Sequence, residues 1–138
     1  MKDKIFYFYG NNVEGEKVSA ELRADIAPVA IRCYIDNQHY FDLALVDAPD
    51  KMDWFDAKVW CEEHYCRLPM KHELKFIYDN LSTINKMIRN AGGKMLSGAY
   101  WSSSESANLW AWSASLDYSY LYGYAKNSGH YVLPVLAL

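Results

Sequence analysis

The sequence predicts an α+β domain, in which strands come first, helices follow and strands return. Runs of β-like composition occupy residues 5–9 and the stretch after Pro28. Residues 53–91 instead carry apolar side chains at helical spacing, and from residue 99 short runs are joined by Ser, Asn and Gly turns. Because strands and helices are segregated along the chain and do not alternate as βαβ units, the α+β class is favoured.

Length, charge and hydropathy indicate the number of domains and the kinds of partner to expect. At 138 residues the chain is predicted to be a single domain, residues 1–138, and its net charge of −3 gives no sign of a nucleic-acid partner. No apolar run approaches the roughly 20 residues of a membrane span, so no membrane insertion is expected. The opening MKDKIFYFYG is too short in apolar length for a secretory signal, so the chain as given is expected to be soluble.

The N-terminal β structure is predicted from three runs. Residues 1–27 are expected to hold a first strand, IFYFY, and a polar loop, NNVEGEKVSAE. The runs VAIRCYI and FDLALVD follow, and the short polar segment DNQHY between them predicts a hairpin.

Two main helices and a third helical segment are predicted in the middle of the chain. Asp53 is expected to cap a first helix of about three turns. Pro69 lies near the start of the second helix, and Ser82 or Thr83 is expected to cap the third, which Gly92-Gly93 ends. The expected inner faces, in chain order, are Trp54, Ala57, Trp60, Cys61 and His64; Leu74, Ile77, Tyr78 and Leu81; and Ile84, Met87, Ile88 and Ala91.

The segment from Tyr100 to Tyr131 has a residue usage unlike the rest of the chain. Taken together, nine of the chain's 12 tyrosines and 5 tryptophans lie here, and only Glu105, Asp117 and Lys126 carry a full charge. Tyr and Trp offer large, stiff contact area while Ser, Gly and Asn offer adaptable hydrogen bonds, which is typical of a binding surface. The alternative is a set of ordinary aromatic strands, expected at 99–103, 109–116, 118–124 and 131–136.

The alternation of apolar and polar residues divides this segment into two sets of side chains, one for each face of a strand. Between residues 110 and 117 an apolar set is expected to face inward and a small or polar set outward, unless Trp110 lies in the loop before the strand. The two sets are Trp110, Trp112, Ala114 and Leu116, and Ala111, Ser113, Ser115 and Asp117. In the next run Tyr118, Tyr120, Tyr122 and Tyr124 share one parity. These tyrosines either stabilise the sheet by cross-strand pairing, at up to about 1 kcal/mol each, or form an exposed hot-spot surface for a partner.

Cysteines and histidines do not form a recognisable reactive site. Cys33, Cys61 and Cys66 are an odd number, and three reduced thiols are the simplest prediction, with a bridge between Cys61 and Cys66 left open. His64 lies between two cysteines, but a second pair of zinc ligands is missing, so neither a metal nor a cofactor is predicted. His39, His72 and His130 lie in separate segments with no nucleophile beside them, so the chain is not expected to be an enzyme.

Six motifs in order carry a family likeness. They are WFDAKVWCEE, CRLPMKHEL, FIYDNLSTINKMIRNAGGKMLSG, YWSSSES, the AW of Ala111-Trp112, and the closing YVLPVLAL. From about Pro28 to Leu138 the chain resembles bacterial and phage domains of the C-type lectin fold. More closely, it is similar to the variable proteins of diversity-generating retroelements and their undiversified relatives.

The resemblance implies a C-type lectin fold, with two main helices packed on short antiparallel sheets. It also implies a non-enzymatic recognition module, on a cell surface or a phage particle, that binds an unknown protein or cell-surface ligand through one exposed face of residues 100–131. By the same likeness Trp101, Trp112, Pro134 and Val135 are scaffold. The exposed ligand-binding candidates that match the family's diversified positions are Asn108, Trp110, Ser113, Ser115, Asp117, Tyr118, Tyr120, Tyr122, Tyr124, Asn127 and His130.

Two departures from the family pattern and two alternative functions accompany this hypothesis. Met70 replaces the usual Thr or Ser after Arg-Leu-Pro, and Leu133 replaces an Arg whose expected partner is a helix carboxylate such as Glu73. The first alternative is a structural or oligomerisation domain of a surface or phage-tail assembly. The second is an enzyme related to the sulfatase-activating enzymes, which use paired cysteines in a related fold. The calcium-binding triplets of animal lectins are absent from the sequence.

Overall fold

Three helices and two small antiparallel sheets make up the part of the chain that the computed structural model describes, which is residues 6–10, 28–36, 38–45, 48, 50–118 and 120–136. The predicted α+β class is therefore confirmed, whereas the loop predicted for residues 11–21 lies outside the described residues. The elements are β1 (Phe6–Gly10), β2 (Pro28–Tyr34), β3 (Tyr40–Ala44), α1 (Trp54–Glu63), β4 (Cys66–Arg67), α2 (Lys71–Asp79), α3 (Leu81–Asn90), β5 (Ala99–Ala107), β6 (Trp110–Ser115), β7 (Tyr120–Ala125) and β8 (Val135–Leu136).

The larger sheet has the strand order β1-β2-β3-β8-β4, with every neighbour antiparallel. The predicted hairpin of β2 and β3 is confirmed, with Tyr34 opposite Tyr40 at its closed end. Strand β8 is inserted between β3 and β4, where Val135 pairs with both Leu43 and Arg67. The last described strand thus joins the hairpin to the segment between α1 and α2.

The smaller sheet has the order β5-β6-β7, and its register decides which side chains share a face. Ser113 of β6 lies opposite Trp101 of β5 and Tyr122 of β7, so these three side chains lie on one face. On the other face Ala114 lies between Tyr100 and Leu121.

Both faces of β6 are covered. Ala114 belongs to a core cluster that α2 and α3 form with the larger sheet, and Ala111 belongs to a second cluster with α1 and Trp101. The expectation that Ala111, Ser113 and Ser115 face outward is therefore wrong, because a second layer of side chains buries that face as well.

The helices begin and end at specific side-chain and backbone contacts. The Asp53 carboxylate accepts the Asp56 N–H at 2.8 Å, which confirms the predicted cap of α1. The cap predicted for α3 at Ser82 or Thr83 is wrong. Asn80 closes α2 through its N–H and its side-chain amide, and its carbonyl accepts the Ile84 N–H to open α3 two or three residues earlier than predicted.

The start of α2 depends on a carboxylate within the helix. Met70 precedes the helix and makes no side-chain cap; instead Glu73 accepts the Met70 N–H at 2.8 Å. Glu73 also accepts two hydrogen bonds, of 2.8 and 2.9 Å, from the guanidinium of Arg67. The Arg that the family has at position 133, the expected partner of Glu73, is replaced by Leu133, which is buried in the core. Arg67 supplies the positive charge in its place.

Replacing Glu73 by Ala should destabilise the protein by about 3 kcal/mol, because it removes the cap of α2 and leaves the half-buried Arg67 without its carboxylate. Urea unfolding of the variant measures this. Asp79→Ala is the matched control on the same helix, since it breaks the exposed pair between Lys75 and Asp79 and should cost less than about 0.5 kcal/mol. Equal losses in the two variants would contradict this role of Glu73.

All three cysteines are free and buried. Burial raises the pKa of each thiol, and for Cys61 the neighbouring Cys66 raises it further. Because only the thiolate reacts with alkylating or disulfide reagents, the folded protein should resist labelling at neutral pH.

A thiol-reactive dye at neutral pH should label the native protein very slowly and then label all three cysteines once urea is added. Absorbance of the released chromophore follows both phases. Rapid labelling of one thiol before urea is added would contradict the burial of that cysteine.

Candidate functional site

Three tyrosines at the outer strand of the smaller sheet form an exposed aromatic surface. Tyr118, Tyr120 and Tyr122, here called the tyrosine patch, are 75%, 37% and 56% exposed. The rings of Tyr118 and Tyr120 lie almost parallel with centroids 6.2 Å apart, and the rings of Tyr120 and Tyr122 meet edge to face at 4.6 Å. Aromatic pairs at these separations hold one another in place.

The residues across the strand explain why these rings stay outside the core. Tyr120 lies opposite Ser115 and Tyr122 opposite Ser113, and both serines are small and buried. Since β6 separates β7 from β5 in the sheet, the rings lie at its border. The predicted shared parity of the tyrosines is thus confirmed for this strand, and the patch is exposed.

Tyr124 lies at the inner end of the same row and is half-buried. The centre of its ring lies 4.7 Å from that of the His130 ring, and the centre of the Trp101 ring lies 4.4 Å from that of His130. Burial, and then the hydroxyl of Tyr120, raise the pKa of Tyr124. Tyr124 therefore connects the exposed rings to the buried ones.

Two polar side chains of the site, Ser113 and His130, are buried and in contact. Ser113 Oγ donates to the Tyr100 carbonyl at 2.9 Å and lies 2.8 Å from His130 Nδ1. The hydroxyl has one proton, so the direction of its contact with Nδ1 depends on the His130 tautomer. The expectation that Ser113, Ser115 and His130 are exposed is wrong, since they are 0%, 8% and 8% exposed. Ser113 and Ser115 are the cross-strand neighbours of Tyr122 and Tyr120, and His130 contacts Tyr124.

Trp110 is exposed but does not belong to the tyrosine patch. Its 48% exposure agrees with the family likeness and overturns the inward position that alternation predicted. It pairs with Ala125, however, whereas Ala111 pairs with Tyr124. Residues that are adjacent along a strand point to opposite faces, so Trp110 lies on the face away from the tyrosines. The single shared face that the likeness implied is therefore divided in two.

The remaining candidates lie at the two ends of the sheet. Asp117 is exposed in the turn between β6 and β7, beside Tyr118, and accepts the Gly98 N–H at 3.2 Å. Asn108 and Asn127 are exposed at the opposite end, near Trp110. Asp117 is thus the candidate that joins the tyrosine patch.

Lys126 is a buried cation that the sequence predictions did not include. Its ammonium donates to the Glu105 carboxylate and, at 2.8 Å, to the Asn108 carbonyl, and it lies 4.3 Å from the centre of the Trp54 ring. Its charge lowers the pKa of Glu105. The signal was available, because Lys126 is the only cation between Tyr100 and Tyr131. It holds the turn between β5 and β6 against the start of α1.

No family model matches the chain, and no curated protein matches it.

Within the described ranges, no three His, Cys, Asp or Glu side chains come together as a group that could hold a metal ion. No helix in the described part of the chain is long and apolar enough to cross a membrane.

The burial of His130 predicts a pH-dependent stability. Burial first, and then the charge of Lys51, lower the pKa of His130, so the unfolded chain binds a proton more readily than the folded protein. The unfolding free energy should therefore fall as the pH drops below about 6.5, the ordinary His pKa. Urea unfolding at several pH values measures it, and His130→Gln should reduce this fall. An equal pH dependence in both proteins would contradict a neutral, buried His130.

Proposed function

We propose that the protein is a non-enzymatic binding module that recognises a protein or a cell-surface ligand through the tyrosine patch. The observation that supports it is three exposed tyrosine rings in mutual contact on a sheet whose central strand is buried on both faces. Exposed aromatic clusters of this kind are common hot spots for binding. Rings that already contact one another lose little freedom when a partner arrives.

The finer classification belongs to the same proposal. We propose a C-type lectin fold of the kind found in variable proteins of diversity-generating retroelements, or in their undiversified relatives. It is supported by the six ordered motifs and by the agreement between the α+β architecture and the implied helices on short antiparallel sheets. The pairing of β8 with both β3 and β4 accords with a closing motif that belongs to the scaffold.

A buried Ser–His contact does not argue for catalysis. Ser113 is fully buried, so its oxygen is not accessible to a substrate. Cys61 and Cys66 are buried thiols of raised pKa, which disfavours the reactive thiolate. Both observations support a binding role over an enzymatic one.

A random-peptide display library, panned on the protein, tests the site. Peptides enriched on the wild type should bind the double variant Tyr120→Ala/Tyr122→Ala at least about 30-fold more weakly, since each ring is placed as a hot spot. The melting temperature should change by less than about 4 °C because neither ring belongs to a core cluster. Tyr65→Ala, at an 83% exposed tyrosine before β4, is the control and should leave binding unchanged.

If the enriched peptides bind the double variant as well as the wild type, the tyrosine patch is not the binding site. A large fall in melting temperature with binding intact would assign the rings to the scaffold instead.

The second candidate is a structural role in which the patch joins copies of this chain. The favouring observation is its place on β7, an outer strand of the described sheet, where a second strand or ring surface can approach. Sedimentation of the wild type and the double variant separates the two roles. A wild-type dimer together with a monomeric double variant supports the interface, whereas monomers of both proteins support ligand binding.

A further inference from the structure

We propose that a cavity beside α3 binds a small zwitterion with an apolar body, of which an apolar amino acid is the simplest example. The cavity shares no residue with the tyrosine patch. The proposal therefore goes beyond recognition of a protein or a cell-surface ligand, and it does not depend on that function.

The cavity lies between three segments of the chain, and all of its lining residues are among the described ones. The first segment is the end of β3 with the residues after it, up to residue 50. The second is the end of α3 with the residues that lead into β5, and the third is residues 131–134 before β8. The cavity volume is about 510 Å³, and small-molecule sites typically measure roughly 300–1,000 Å³. Its size therefore suits a small molecule.

Hydrogen bonds hold the three segments in place. The Ala44 N–H donates to the Pro134 carbonyl at 3.0 Å, which joins the first segment to the third. The side-chain amide of Asn85, on α3, donates to the Leu96 carbonyl at 3.1 Å, and its oxygen accepts the Leu96 N–H at 2.7 Å. The second segment is thus fixed to the helix that precedes it. A cavity whose walls are already ordered loses little conformational freedom when a ligand binds.

The buried side chains of the lining are aliphatic or aromatic. Leu43, Ile88 and Leu133 are 1%, 2% and 2% exposed and belong to the main core cluster. Tyr100 and Tyr131 also line the cavity, with ring centres 5.7 Å apart. An apolar group that covers these side chains removes apolar surface from water on both partners, which favours binding. The apolar body of the ligand is therefore expected to contact them.

The lining also contains two side chains of opposite charge, which decide the polar part of the ligand. Asp50 comes from the first segment and Lys94 from the second, and both are exposed. The Asp50 carboxylate accepts the Lys51 N–H at 2.8 Å and has further acceptor sites for a ligand. The Lys51 ammonium lies 5.2 Å from the centre of the Tyr131 ring, so it adds a second positive charge near the cavity.

Charge complementarity favours a ligand that carries both signs. An ammonium group can pair with Asp50 while a carboxylate pairs with Lys94, and both charges stay at the solvent-exposed part of the lining. A ligand with one charge can pair with one of these side chains and meets a like charge in the other. A hydrocarbon without polar groups would leave both side chains without a partner in the ligand. Apolar amino acids combine the two charges with an apolar body in one small molecule.

The first test compares L-phenylalanine with two analogues by isothermal titration calorimetry. L-Phenylalanine should bind with a dissociation constant below about 1 mM. The analogue 2-phenylethylamine lacks the carboxylate, and 3-phenylpropionate lacks the ammonium group. Each should bind at least about fivefold more weakly, because each loses one charge-assisted contact.

Protein variants assign the two contacts. Asp50→Asn should weaken L-phenylalanine about fivefold without weakening 3-phenylpropionate, and Lys94→Gln should weaken it about fivefold without weakening 2-phenylethylamine. Both positions are exposed, so the variants should remain folded. The matched controls are Asp79→Asn on α2 and Lys86→Gln on α3, which make the same changes of charge outside the cavity and should leave the affinities unchanged.

Oxidation of methionine locates the ligand in the wild-type protein. Met95 lines the cavity and is 48% exposed, whereas Met70 lies outside it and is 45% exposed. Hydrogen peroxide converts exposed methionine to the sulfoxide, and saturating L-phenylalanine should slow this reaction at Met95 at least about threefold and leave Met70 unchanged. Mass spectrometry of proteolytic peptides measures both rates.

Three results would overturn the proposal. Absence of L-phenylalanine binding at up to about 10 mM would exclude the ligand class. Equal affinities for L-phenylalanine and its two analogues would show that the paired charges do not contribute. Binding that protects both methionines, or neither, would place the ligand outside the cavity.

Discussion

The burial of β6 on both faces is the constraint on which the smaller sheet depends. One face carries Ala114 into the core beneath α2 and α3, and the other carries Ser113 under Trp101 and His130. Within β6 only Trp110, at its first position, is exposed; the other exposed aromatic side chains of this sheet belong to β7 and to the turn before it. Full burial of two small residues also lets the layers approach closely.

This constraint explains where prediction from the sequence succeeded and failed. The helices, the β2–β3 hairpin and the α+β class follow from local spacing and turn chemistry, and the structure has them. The alternation argument for β6 assumed that one face of the strand contacts water, and it therefore predicted that Ser113 is exposed. Ser113 is instead buried with its hydroxyl bonded to the Tyr100 carbonyl, a contact between neighbouring strands that the alternation within one strand does not contain.

The site was also only partly predictable. The exposed tyrosines could be identified because four rings of one parity exceed what a core needs, and Trp110 because of the family likeness. The division of Trp110 and the tyrosines between two faces could not be predicted, since it depends on the register that pairs Trp110 with Ala125 and Tyr122 with Ser113. His130 was misplaced for a similar reason: its ring contacts Trp101 of β5 and Tyr124 of β7, which are distant in sequence from each other.

The position of the tyrosine rings outside both core clusters has an evolutionary consequence. Tyr118, Tyr120 and Tyr122 belong to neither core cluster, whereas Leu121 and Tyr124 of β7 pack against the core. Substitution at the first three positions should therefore carry little penalty to folding. A surface of this kind can drift, or be rewritten, while the underlying architecture is inherited unchanged.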